Sequence, residues 1–243
     1  MLTKRFLPII ILLALSFTHS PFARASETAH KNDQSVVQST PVSGAKAEDL
    51  YKISNDDIVL GEEKAKVTVI EYASMTCSHC ADFHKNAYQD IKKRYIDTGK
   101  IKFVFRAFPL DEPALRGSML ARCAGPQRFY KFTDVMFSTQ PNWAYAKNYL
   151  EILSNIGKLG GLSGEEFEKC MANTDLEKKI MQAKFDATSV LSVRSTPSFF
   201  INGNIYKGAH NFEYFSKVLD EALAEKPTDL QNKNKEAGPA KKQ

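Results

Sequence analysis

Val67-Thr68-Val69-Ile70-Glu71-Tyr72-Ala73-Ser74-Met75-Thr76-Cys77-Ser78-His79-Cys80 decides the fold of this chain. Its first half, Val67 to Tyr72, is apolar and β-branched and reads as a strand. Its second half ends in two cysteines separated by two residues. Beyond them, Phe83, Ala87, Ile91 and Tyr95 recur at every fourth position, which predicts a helix over Ala81 to Tyr95. A helix start offers unpaired N–H groups and a partial positive charge, and both favour a thiolate over a thiol. A strand that delivers Cys-x-x-Cys to a helix N-terminus is a redox arrangement.

Outward from this stretch the element order is regular. Asp97-Thr98-Gly99 is a turn, and Ile101 to Phe105 is the next strand. Strand–helix–strand closes as a right-handed parallel unit. Helices follow. Asp111 caps one with Pro113 in its first turn, running to about Cys123 before Gly125-Pro126 breaks it. Gln127 to Phe137 is another. Tyr145, Tyr149, Ile152, Leu153 and Ile156 line a third, stopped by Gly160-Gly161. Ser163…Glu166 and Thr174…Glu177 read as capping boxes that open two more. The pattern then returns to β: a strand at Ser198 to Ile201, a hairpin turn at Asn202-Gly203 and a partner strand at Ile205 to Lys207. Asn211 caps a final helix. Upstream, Ile58 to Leu60 is a short strand. The fold class is therefore α/β, a central mixed sheet flanked by helices, with an all-helical subdomain inserted at about 112–191 of a domain spanning 48–225.

The ends differ in character. Lys4 and Arg5, the apolar run Phe6 to Phe17 and Ala23-Arg24-Ala25 make the three parts of a secretory signal peptide over 1–25, cleaved after Ala25. The run is short of the ~20 residues that span a bilayer, so no stable membrane insertion is expected. Residues 26–47 are polar and read as a disordered linker, and 226–243 as a disordered basic tail. Residues 1–25 hold Lys4, Arg5 and Arg24 and no acid, so their removal lowers the formal charge from +5 to +2. That balance gives no reason to expect a nucleic-acid partner. Export implies an oxidising compartment, the periplasm, where disulfides persist.

Glu71, Cys77-Ser78-His79-Cys80, Thr196-Pro197 and Phe199-Phe200-Ile201-Asn202-Gly203, in this element order, resemble the DsbA-like thiol–disulfide oxidoreductases of the thioredoxin superfamily. The resemblance covers about Ile58 to Ala224. It implies a thioredoxin-like fold with the helical insertion, and exported proteins with cysteines as substrates. It also implies a membrane quinone-linked partner for re-oxidation, and no cofactor. A monomer is expected. Cys77 is the candidate nucleophile and Cys80, one turn further in, the residue that resolves a mixed disulfide. His79 lies beside Cys77, where an imidazole donates a hydrogen bond or adds positive charge to a thiolate. Glu71 corresponds to the acid that these families bury behind the two sulfurs, which takes the proton that Cys80 must lose. The plainer alternative is a salt-bridged or edge-exposed glutamate, paired with Lys102. The resemblance implies a cis Thr196-Pro197 bond facing the sulfurs, with the Thr196 main chain free to pair with substrate. Two positions depart from the family pattern. Ser78 stands where proline is common, and threonine at 196 is commoner in branches that isomerise or reduce.

Cys123 and Cys170 both fall in the insertion. If Cys77 pairs with Cys80 they are left for each other, as a structural bridge; the alternative is two buried thiols. His84, four residues after Cys80, could join the two cysteines in a metal site. Spacing supplies no fourth ligand, so no metal is expected and a packed or solvated His84 is preferred. Trp143 and Tyr145 either rim a substrate groove or pack the insertion, and packing is preferred. The leading function is a dithiol oxidase. An isomerase or reductase of the same fold is one alternative, although 26–47 is too short and polar to be a folded dimerisation domain. A non-catalytic binding module with structural or zinc-binding cysteines is the other.

Overall fold

The structure, a computed structural model, describes residues 46–225. The expected signal peptide, the linker up to residue 45 and the basic tail lie outside the described residues. Folded structure begins one residue earlier than the expected boundary, with a short helix α1 at Ala47–Leu50.

Five strands form one mixed sheet in the order β1-β3-β2-β4-β5. They are β1 Val59–Leu60, β2 Val67–Ala73, β3 Ile101–Ala107, β4 Ser198–Ile201 and β5 Asn204–Ile205. β2 pairs parallel with β3, with Glu71 opposite Phe105, and antiparallel with β4, with Glu71 opposite Phe199. β1 and β5 close the two edges antiparallel. The second hairpin strand, Asn204–Ile205, is shorter and earlier than the expected Ile205–Lys207, with one further cross-strand bond beyond it, from Tyr206 N–H to Phe199 O at 2.9 Å.

β2 lies at the centre of the sheet and is buried on both faces, so it shows no polar alternation. Val67, Val69 and Ala73 belong to the larger core, with Phe83, Tyr88, Phe103 and Phe215. Ile70 and Tyr72 pack on the other side with Val104, Ala187, Leu191 and Phe200. Arg106 of β3 anchors the N-terminal segment to the sheet. It donates to Asp57 at 3.0 and 2.7 Å, to the Tyr72 hydroxyl at 2.8 Å and to the carbonyls of Leu50 and Lys52.

The helix after the cysteines is not continuous. α2 spans Ser78–Asn86 and α3 Tyr88–Ile91, and the chain continues through a π-helical turn at Lys92–Ile96. The every-fourth-residue pattern explains this. In a regular α-helix such positions drift by about 40° per step. A break at Ala87 and a wider turn keep Phe83, Ala87, Ile91 and Tyr95 all buried.

The insertion contains α4 Glu112–Cys123, α5 Pro126–Ser138, α6 Gln140–Trp143, α7 Tyr149–Leu159, α8 Gly164–Met171 and α9 Thr174–Ser189. Asp111 caps α4, accepting from Ala114 N–H, and Ser163 with Glu166 forms a capping box on α8. The expected Thr174 box does not form. Asn173 caps α9 instead, its side chain accepting from Leu176 N–H at 2.9 Å. α10, Phe212–Ala224, is capped by Asn211 and packs Phe215 and Leu219 into the larger core.

Candidate active site

The end of β2 delivers the two cysteines to the start of α2, where Cys77 is the N-cap residue and Cys80 lies in the first turn. Both thiols are free. Cys77 is partly exposed, whereas Cys80 is 0% exposed. The Cys77 thiol donates to the Thr196 carbonyl at 3.3 Å. Cys77 is pulled down to about 5, first by the hydrogen bond from Cys80, then by the Thr196 side chain and the N–H groups of Cys80 and His79, against a desolvation that opposes them. Cys80 is pushed far upward, chiefly by burial, then by its bond to Cys77 and the charge of Glu71. The pair is thus polarised: an accessible sulfur that ionises easily over a buried one that does not.

His79 reaches Cys77 through its main-chain N–H, and its own side chain lies at the surface. A second imidazole stands nearby that sequence reading missed. His210 packs against Phe199 with centroids 5.3 Å apart, and burial holds its pKa down while the charges of Glu71 and Cys77 act in the opposite sense. It sits more than 100 residues from the cysteines, so no local pattern could have connected them.

Glu71 is 0% exposed and lies on the face of β2 below α2. Its Oε2 is 2.8 Å from Nε2 of His84, which is itself 2% exposed. The alternative partner, Lys102, donates to the Glu63 carbonyl instead. His84 is therefore packed, and it is also paired. Among the described residues no group of three or more His, Cys, Asp or Glu side chains is arranged to hold a metal.

The Thr196–Pro197 peptide bond is cis, and Pro197 is buried. The Thr196 hydroxyl is buried next to Cys77, whose thiolate it stabilises. Cys123 and Cys170 are bonded, S–S 2.07 Å, joining the last residue of α4 to α8.

The insertion grips the loop before the cysteines. Gln140 Nε2 donates to the carbonyls of Met75 at 2.9 Å and Cys77 at 3.0 Å. The Tyr145 hydroxyl donates to the Thr76 carbonyl at 2.9 Å, and the Thr76 hydroxyl donates to Asp111 at 2.8 Å. Trp143 is fully buried, but Tyr145 is 72% exposed, so packing accounts for the first and not the second. Gln140, Thr76 and Asp111 carry no sequence signal for this role. Clefts of about 910, 380 and 330 Å³ exist, and neither Cys77 nor Cys80 lines any of them. Cys77 alone reaches the surface, with Cys80 buried behind it.

A strand that feeds Cys-x-x-Cys to a helix, opposite a cis-proline and beside a helical insertion, defines a class, and comparison with known proteins agrees. The family model described as Thioredoxin matches residues 54–221. A Rickettsia felis protein provisionally named a protein-disulfide oxidoreductase is 38% identical over 184 residues, 75% of this chain and 66% of the relative. Its Rickettsia conorii counterpart is 35% identical over 212 residues, 84% and 76% of the two chains. The chain thus spans about two thirds of the first relative's length. The crystal structure of Wolbachia pipientis alpha-DsbA1 is 33% identical with a TM-score of 0.69, covering 78% of this chain and 99% of that one. The chain belongs to the DsbA-like protein-disulfide oxidoreductases of the thioredoxin superfamily.

Proposed function

We propose that the protein is a periplasmic dithiol oxidase that introduces disulfides into exported proteins. A substrate thiolate attacks the Cys77 sulfur of the Cys77–Cys80 disulfide. That bond breaks, and Cys80 leaves and takes up a proton from the side of Glu71. A second substrate thiolate attacks the substrate sulfur of the mixed disulfide and releases Cys77 as its thiolate. Two substrate thiols are oxidised to one disulfide, and the enzyme disulfide is reduced to a dithiol. A membrane quinone-linked partner then restores the disulfide. Thr196 and Pro197 are the ledge along which an extended substrate pairs. The protein is delivered by a signal peptide cleaved after Ala25 and works as a monomer.

The observation that carries this reading is the placing of a partly exposed Cys77 at the N-cap of α2 over a buried Cys80, and the opposed pKa directions of the two sulfurs agree with it. A stable Cys77 thiolate favours the reduced enzyme, and a favoured reduced form makes the oxidised form a strong oxidant. The test is stoichiometric. Disulfide-form protein mixed with a reduced dithiol peptide should oxidise one peptide per molecule, and Cys77→Ser should abolish the reaction. Failure of the disulfide-form protein to oxidise the peptide would leave a non-catalytic binding module as the better reading.

A further inference from the structure

Behind Cys80 lies a cluster of buried polar groups that attack at Cys77 does not by itself require. Cys80 and His84 are four residues apart in α2, so both project from one face of that helix. Beneath them, Glu71 of β2 holds the His84 ring through the 2.8 Å contact between Oε2 and Nε2. The ring is stacked on Phe137, with centroids 4.2 Å apart and planes at 24°, and its centroid is 4.6 Å from that of Tyr88. Four buried side-chain atoms around it have no hydrogen-bond partner among the described residues: Glu71 Oε1, His84 Nδ1, Tyr88 Oη and Asp134 Oδ1. Folded proteins pair nearly all such atoms within the protein or with ordered water, so four around one buried ring single this cluster out.

The charged and titratable neighbours are few. Cys80 is on the same helix, Glu71 comes from β2, Tyr88 from α3, and Asp134 from α5. His84 and Lys92 act on Asp134, and Tyr130 of α5 and His210 are within the field of Glu71. The other rings against His84, Phe83, Phe105 and Phe137, carry no charge. Asp134 is only partly buried, so the cluster runs from the resolving sulfur toward solvent.

A carboxylate this deep needs a hydrogen-bonded partner to stay charged. A neutral imidazole that donates Nε2–H to it keeps Nδ1 as one free acceptor. We propose that Glu71 and His84 act as a single proton-accepting unit for Cys80, with the proton carried on Nδ1 of His84 and with Tyr88 and Asp134 marking its route to solvent. When Cys80 attacks a mixed disulfide at Cys77, its S–H bond breaks and an N–H bond forms on His84. The new S–S bond joins Cys77 to Cys80, and the other partner leaves as a thiolate. The unit changes from net −1 to neutral, and Glu71 remains a carboxylate that fixes the ring. When a substrate thiolate opens the Cys77–Cys80 disulfide, the same proton returns to Cys80. This deepens the proposed function and rests on its thiol–disulfide reading.

The test follows the two chemical steps separately by rapid mixing with oxidised glutathione. Cys77 first forms the mixed disulfide, and Cys80 then expels glutathione. In His84→Gln the rate of the Cys80 step relative to the Cys77 step should fall about tenfold at pH 7, and the Cys80 step should lose its rise with pH across the neutral range. An unchanged ratio and profile would overturn the proposal. Nitrogen NMR of the unaltered protein covers a variant that fails to fold. The His84 ring should differ in protonation between oxidised and reduced protein over pH 5–9; a ring that is neutral and identical in both states would overturn the proposal. If Cys77 never exchanges with glutathione, the oxidoreductase reading itself fails, which is a different result from a silent His84.

Discussion

The chemistry of this site rests on the environments of single side chains. Cys77 and Cys80 are the same residue type three positions apart, yet one is held down to about 5 and the other pushed far up. Alkylation of the reduced protein should therefore modify Cys77 alone, with a rate that titrates near pH 5; a midpoint near that of a free thiol would contradict the geometry. The sign for stability follows. Cys77 is an acid whose folded value is depressed, so it stabilises the reduced protein fully above the unfolded thiol's value, and this contribution is lost as pH falls through about 5. Asp57 behaves alike. Burial opposes its ionisation, but the bonds from Arg106 prevail and its pKa is lowered. Its contribution is present above about 3.9 and disappears as pH falls through its lower folded value. Asp57→Asn should cost about 3–5 kcal/mol near neutrality, because it strands the Arg106 charge, and denaturant unfolding would measure the loss. At this scale the sequence was legible where a residue broke its local pattern, as Glu71 does in an apolar strand. Arg106 breaks the pattern of β3 in the same way, but its partner Asp57 is 49 residues upstream and no local rule links them.

Between elements, the insertion supports the catalytic loop. Gln140 donates to the carbonyl of Cys77 itself and to that of Met75 just before it, so Gln140→Leu leaves both without that donor. The cost should be about 1–3 kcal/mol of stability, with a slower reaction of Cys77 toward disulfides. If unfolding and Cys77 reactivity both stay at wild-type values, the support role is wrong. The Cys123–Cys170 bond closes a loop of sequence separation 47 and ties α4 to α8. Replacing both cysteines by serine should lower stability by about 2–4 kcal/mol in the chain-entropy account. Element identity was readable because helix caps and glycine stops are local, as with Asp111, Ser163 and Gly160. The failures have the same origin. Asn173 took the cap expected of Thr174, one residue away, and only tertiary packing decides between two adjacent polar residues. Periodicity showed that Phe83 to Tyr95 share a face, but not that a break at Ala87 and a π turn are needed to keep them there.

Across the whole molecule, strand–helix–strand and strand–strand–helix halves enclose the helical insertion, and this order could be read from hydrophobic periods and turn signals alone. The pairing of β2 with β4 then brings Thr196 against Cys77, although 119 residues separate them. That meeting, with the pairing of His84 to Glu71 and of Tyr145 to the Thr76 carbonyl, is a product of the closed fold. The account's central claim is that this environment stabilises the reduced dithiol and so makes the disulfide form an oxidant. Equilibration of Cys77 and Cys80 with reduced and oxidised glutathione tests it most directly. A potential more oxidising than about −180 mV is predicted, and a value near the −270 mV typical of thioredoxin-like reductants would contradict it.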